Sequence, residues 1–182
     1  MSFAQASKTE SIVLPAEGFP IDAALRRLAP NLARAASETA AGFFSRPASL
    51  APAWEAPRIP DPGRIQCSQK NVGERYEMIC NLTADASAWG SLFPDGTDGR
   101  MRMDAYCELA NCICGALLAD PGFADWFGHL IPCVPCSGQG CAGEGSQAVK
   151  GALRLGGTWI LFSFAVREAD AAARGDRLTA AA

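Results

Sequence analysis

Two runs of residues, 149–155 and 158–167, separated by Gly156-Gly157, constrain the fold of this chain more than any other feature. A glycine pair tolerates the positive φ angles of a tight two-residue turn, so the runs predict a β-hairpin. The second run contains the longest apolar stretch in the sequence, TWILFSFAV at 158–166. That stretch is far short of the roughly 20 residues a membrane-spanning helix needs, and its composition is that of a strand. Two further strands are expected at 64–69 and 75–83, where Tyr76, Met78 and Cys80 share one face and Ile79 takes the other. Strands joined by hairpins pair antiparallel.

The remaining periodicity is helical. Asp22 is placed to cap a helix running to about Phe44, with Ala23, Leu25, Leu28, Leu32, Ala35, Ala36 and Ala40 as its apolar stripe. Pro30 inside that span predicts a kink or a break. Residues 47–62 hold five prolines and read as an irregular connection. A short helix over 84–93 ends in the turn at 94–99, and a second long helix over 100–120 is stopped by Pro121-Gly122. A strand at 129–135 and a glycine-rich loop at 137–146 precede the hairpin. The order predicts an α+β fold, with two long helices packed on one face of a largely antiparallel sheet. Residues 18–168 form the expected domain. Residues 1–17 are a loose arm, with 11–14 able to add an edge strand, and 169–182 are an alanine-rich tail.

Composition narrows the class. A chain of 182 residues with 49% hydrophobic and 19% charged residues is globular rather than disordered. A net charge of −3 and pI near 5.2 argue against nucleic acid, which calls for a basic face. Lys8 and Glu10 interrupt the N-terminal stretch before any secretory apolar segment forms, so a cytoplasmic protein is expected. The eight cysteines then read as thiols or metal ligands rather than a disulfide framework.

One face of the second long helix is chemically unusual. Residues advance about 100° each, so Asp104, Glu108, Asn111 and Gly115 fall within one arc. Tyr106, Leu109, Ala110, Ile113, Ala116 and Leu117 fall opposite. A polar outer face is ordinarily just solvated. Asparagine, however, is a poor helix former, and an outward one in mid-helix calls for a reason. Gly115 leaves the next turn free of side chain beside the carboxylate and carboxamide.

These residues resemble the signature helix of the CheC/CheX-type chemotaxis phosphatases. That pattern is an Asp or Ser, a Glu four residues later, an Asn three after that, and a Pro about twenty-two further on. Here it runs Asp104, Glu108, Asn111, with Pro132 and Pro135 bracketing the proline position, and Glu108-Leu109-Ala110-Asn111 reads as in the CheX branch. With the order of elements, the resemblance spans residues 18–168. It implies the α+β arrangement above and a phosphatase acting on the aspartyl phosphate of a CheY-like response-regulator receiver. Asn111 would position an in-line water and Glu108 would reach the receiver's lysine. Asp104 and Gly115 support them, Asp104 through the helix start. The Mg²⁺ and the phosphoaspartate would belong to the receiver, so no metal or cofactor of the chain's own is implied. Some members carry a second signature on the first helix. Counted from Asp22, the matching positions are Arg26 and Ala29, so one site per chain is expected. Homodimers through sheet edges are also known in the family, and alternating strands permit them.

The chemistry suits this division of labour. An acyl phosphate is already labile in water, so orienting the attacking water can be enough. A carboxamide offers donor and acceptor without adding negative charge beside the phosphoryl group, whereas a carboxylate there needs a cation to pair with. Other readings compete. A CheX-like domain could bind a receiver as a non-catalytic adaptor. His129, Cys133, Cys136 and Cys141 provide enough ligands for tetrahedral zinc, or for a thiol sensor. Cys133-Val-Pro-Cys136 lacks the helix start of a redox dithiol, and GQGCAG at 138–143 lacks the helix and acidic residue of a dinucleotide site. Cys107, Cys112 and Cys114 flank the signature as small apolar residues.

Overall fold

The computed structural model of the protein describes residues 12–13, 20–59, 63–137 and 148–169. The elements in order are β1 (Ile12–Val13), α1 (Pro20–Phe44), β2 (Ala48–Ala51), β3 (Arg64–Val72), β4 (Tyr76–Asp85), α2 (Ala86–Gly90), α3 (Gly99–Leu118), α4 (Pro121–Phe127), β5 (Ile131–Pro132), β6 (Cys136–Ser137), β7 (Ala148–Leu155) and β8 (Thr158–Glu168). Gly156, at φ 61°, turns β7 into β8 as the glycine pair predicted. Aspartates start three helices. Asp85, Asp98 and Asp120 each accept backbone N–H bonds from the first turns of α2, α3 and α4.

All strand pairs are antiparallel. The centre of the sheet is β7–β8–β4–β3; β1 and β2 share the outer edge of β7, and β5 and β6 share that of β3. Both long helices lie on one face and touch each other, α1 over β7 and β8, α3 over β3 and β4. Their apolar stripes meet Met78, Cys80, Leu82, Val149, Leu153, Ile160, Phe162 and Phe164 from the sheet in one buried cluster. The α+β expectation, with two helices on an antiparallel sheet, is the observed architecture.

Several local expectations change. The first helix starts before Asp22, which is buried within its first turn, and runs unbroken through Pro30. A mid-helix proline costs about 3 kcal/mol. Leu25, Leu28 and Leu32 around it are buried, each gaining roughly 1.5–3 kcal/mol, which holds the helix together. The proline-rich connection contains β2, paired with β7 through Ala48–Leu155 to Ala51–Ala152. Pro121 does not stop the chain's helices but begins α4, because proline suits the first helical position. The strand expected over 129–135 is broken into two short pairings with the edge of β3, Ile131–Pro132 and Cys136–Ser137, between which the Cys133 N–H donates to the Lys70 carbonyl at 2.8 Å. Most of the glycine-rich loop and of the alanine-rich tail lies outside the described residues.

The opposite face of the sheet is more polar. Glu77 is buried there between Lys70 and Arg167. Ser68 donates to Asn81 at 2.6 Å, and Asn81 donates to Ser163 at 3.4 Å. Ala51, Ile59, Ile79, Ala148 and Ala152 are buried without joining the helix-side cluster. The short 3₁₀ turn Ala53–Glu55 also touches β7. Within the proline-rich connection, β2 lies against α1: Ala48 and Leu50 pack on the helix-side cluster, and Ser37 donates to the Ala48 carbonyl at 3.3 Å.

Candidate functional site

The rotation of α3 is fixed from below. Tyr106, Leu109, Ala110, Ile113, Cys114 and Leu117 are all buried. The Trp89 indole donates to the Arg102 carbonyl at 2.9 Å, and its ring meets Tyr106 edge-on at 4.6 Å. With that face locked, the helical period turns Asp104, Glu108 and Gly115 outward and leaves Asn111 half-buried between them. The stripe read from the sequence is thus brought together on an exposed surface. Trp89 and Arg102 give no local signal of this role, because their contact joins residues thirteen apart.

Within the stripe, Glu108 is the hub. Asn111 Nδ2 donates to its Oε2 and the Cys112 thiol to its Oε1, both at 3.5 Å. Bonds of that length are weak and easily exchanged. Burial pushes the Cys112 thiol up, and the adjoining Glu108 carboxylate pushes it further. Cys112 therefore stays a neutral donor beside Glu108. Its spacing of four from Glu108 was the sequence signal for that contact.

Asp104 does not serve the helix start. Asp98 is the cap, accepting from Met101 N–H at 2.9 Å, and Asp104 sits in the second turn. Its partner is Arg100 at 3.9 Å, and both side chains are well exposed, so the pair contributes little. A Cβ placed on Gly115 would meet nothing within 4 Å. The surface beside Asn111 is open to a partner.

The flank of the stripe is built by the edge of the sheet. β5 and β6 both touch α3, and Pro132 pairs with Asn71 on β3. Ile131 and Val134 are exposed at 64% and 84%, leaving an apolar rim there. On α1, the line Asp22 and Ala29 is buried, so it cannot carry a second site. The outward residues one turn apart on that helix are Ala23, Arg27, Pro30 and Arg34. None of these four is a carboxylate or carboxamide; Asn31 and Glu38 are also exposed on α1 but stand seven residues apart, not three.

The zinc alternative gains nothing from the geometry. His129, Cys133 and Cys136 are exposed, Cys141 lies outside the described residues, and no three His, Cys, Asp or Glu side chains converge as a metal site among the described residues. Nor is any helix among them long and apolar enough to cross a membrane.

No family model and no curated protein sequence matches the chain. Solved structures match its fold. Chemotaxis protein CheX from Desulfovibrio desulfuricans superposes with a TM-score of 0.56 at 13% identity, covering 78% of this chain and 99% of that one. For CheX from Vibrio vulnificus the values are 0.54, 14%, 75% and 96%. For the chain matched in the CheX–CheY–BeF3–Mg²⁺ complex from Borrelia burgdorferi they are 0.55, 15%, 75% and 96%. At such identities the shared property is architecture, two long helices on an antiparallel sheet. The chain has the fold of the CheX and CheC-like chemotaxis proteins.

Proposed function

We propose that this protein dephosphorylates the aspartyl phosphate of a CheY-like receiver domain, with Glu108 engaging the receiver's lysine and Asn111 holding the attacking water. The observation that carries this reading is the pairing of an exposed carboxylate with a carboxamide one turn away, on a helix face left open by Gly115. The fold is that of CheX, and one matched chain belongs to a complex of CheX with CheY, BeF3 and Mg²⁺. That complex supports a receiver as the class of partner.

The local contacts suggest how the pair would work. In the free protein, Glu108 accepts from Asn111 and Cys112 at 3.5 Å. A docking ammonium offers a stronger, charge-assisted partner and draws Glu108 toward itself. Asn111 is then released to orient a water in line with the phosphorus, adding no negative charge near the departing carboxylate. Mg²⁺ held by the receiver neutralises charge on the phosphoryl oxygens. Everything this chain supplies is positioning.

Steady-state decay of phosphate on a Mg²⁺-loaded CheY-type receiver tests the division of roles. Glu108→Gln is expected to raise KM at least tenfold with a smaller change in kcat. A Glu108→Gln protein as active as wild type would overturn the docking role. Binding of the receiver with no acceleration by wild type would instead establish a non-catalytic adaptor.

A further inference from the structure

The segment along the outer edge of β3 carries one residue too many for a regular ladder. Pro132 lies opposite Asn71 and Cys136 opposite Ser68, so the three steps from 68 to 71 face the four from 132 to 136. Val134 and Pro135 therefore share Gln69 as their opposite residue, which makes the segment a β-bulge. Residues opposite one another point to the same face. Gln69 faces the helix layer, because it lies opposite Cys80 of the helix-side cluster. The bulge thus turns Val134 and Pro135 to the α3 side of the sheet edge, where Val134 is exposed. Its level along α3 follows from the connections. Trp89, just past the end of β4 opposite Arg64, holds the Arg102 carbonyl, and the far end of α3 leads through α4 to β5 opposite Val72. The helix therefore runs in the direction of β3. Gln69 lies past the middle of that strand, level with the later half of α3, where Asn111 and Gly115 stand.

One side chain holds the bulge. Gln69 is fully buried, and its Nε2 donates to the Cys133 carbonyl and, at 3.2 Å, to the Lys70 carbonyl. Pro135 has no N–H with which to pair. The Gln69 Oε1 is buried with no partner among the described residues, a net cost to stability. What the carboxamide supplies in return is its grip on Cys133.

We propose that Gln69 is a positioning residue for the receiver reaction: by fixing the bulge it presents Val134 as an apolar contact for the receiver domain, alongside Asn111. This inference rests on the phosphatase reading, because the same face must meet the receiver, and it adds a determinant of which receiver docks. Glu108 engages a lysine, which selects by charge. An aliphatic side chain at the rim selects by shape, and against a receiver that would have to bury an unpaired charge there.

Phosphate decay and the binding of a receiver loaded with beryllofluoride and Mg²⁺ provide the test. Val134→Asp is a surface change that leaves the fold intact. Gln69→Met keeps the length of the side chain and removes its donor. Each is expected to raise KM and Kd at least about fivefold, with kcat within about twofold of wild type. Because Gln69 acts through Val134, the double variant should lose less than the product of the two single losses. Wild-type Kd and KM in Val134→Asp would overturn the contact. The same values in Gln69→Met, or fully multiplicative losses, would overturn the positioning role. Kd is read whether or not decay is accelerated, so binding without catalysis refutes the phosphatase reading alone, and a wild-type protein that binds no loaded receiver refutes both.

Discussion

Gly115 stands on the outward face of α3, and a methyl group there would touch nothing within 4 Å. Glycine in a helix interior costs about 1 kcal/mol relative to alanine, chiefly through the freedom it loses on folding. No clash offsets that gain here, so Gly115→Ala should stabilise the protein by about 1 kcal/mol. In a domain of this size that raises Tm by about 2–4 °C. The same methyl would stand one turn from Asn111, in the plane where a receiver must come closest. A misplacement of about 1 Å at a reacting centre can cost roughly 10²-fold, so a loss of at least tenfold in kcat/KM is expected. Differential scanning calorimetry and receiver-phosphate decay on one preparation measure both. A raised Tm with undiminished decay would refute the docking role of this surface. A lowered Tm would refute the open geometry around Gly115.

Three further outcomes follow from the packing. Burial alone would raise the pKa of Glu77, but Lys70 and Arg167 hold it below the ordinary value of 4.5. Its stabilising contribution is therefore complete above about that pH and lost as pH falls through the lower folded value. Both cations are partly exposed, so Glu77→Gln should cost only about 1–2 kcal/mol and should flatten the acid limb of urea-unfolding curves. Gly73→Ala would bring its Cβ to 2.6 Å from Leu130 and 2.8 Å from the His129 carbonyl. A backbone atom cannot step aside cheaply, so a loss of about 2–3 kcal/mol is expected by chemical denaturation. The Tyr106 hydroxyl is buried without a partner among the described residues, so Tyr106→Phe should leave stability unchanged or raise it by up to about 1 kcal/mol. A loss above that would show a polar partner for the hydroxyl.

The parts of this fold that were legible in the sequence carry their signal locally. The β7–β8 hairpin announces itself through a glycine pair between strand-like runs, and the α3 stripe through a strict helical period. What escaped depends on partners distant in sequence or on cues with two meanings. β2 joins the sheet through backbone pairing with β7, and Ala-Ser-Leu-Ala offers no alternation to detect. Pro121-Gly122 reads as a stop, yet Asp120 and Pro121 are equally a cap and a first helical residue. The start of α3 is expected at residue 100, next to the observed Gly99, but the role at the helix start, expected of Asp104, is held by Asp98. On α1, counting from Asp22 selected residues on the buried line. The outward stripe differs, but the conclusion that α1 lacks a Glu–Asn pair holds in either register.

Decay of phosphate on a Mg²⁺-loaded CheY-type receiver, followed with wild type and Asn111→Ala in parallel, tests the catalytic role of the stripe most directly. Wild type should accelerate decay. Asn111→Ala should return it to the receiver's own rate while still binding a beryllofluoride-loaded receiver. Decay accelerated as strongly by Asn111→Ala as by wild type would contradict the assignment of the water to that carboxamide.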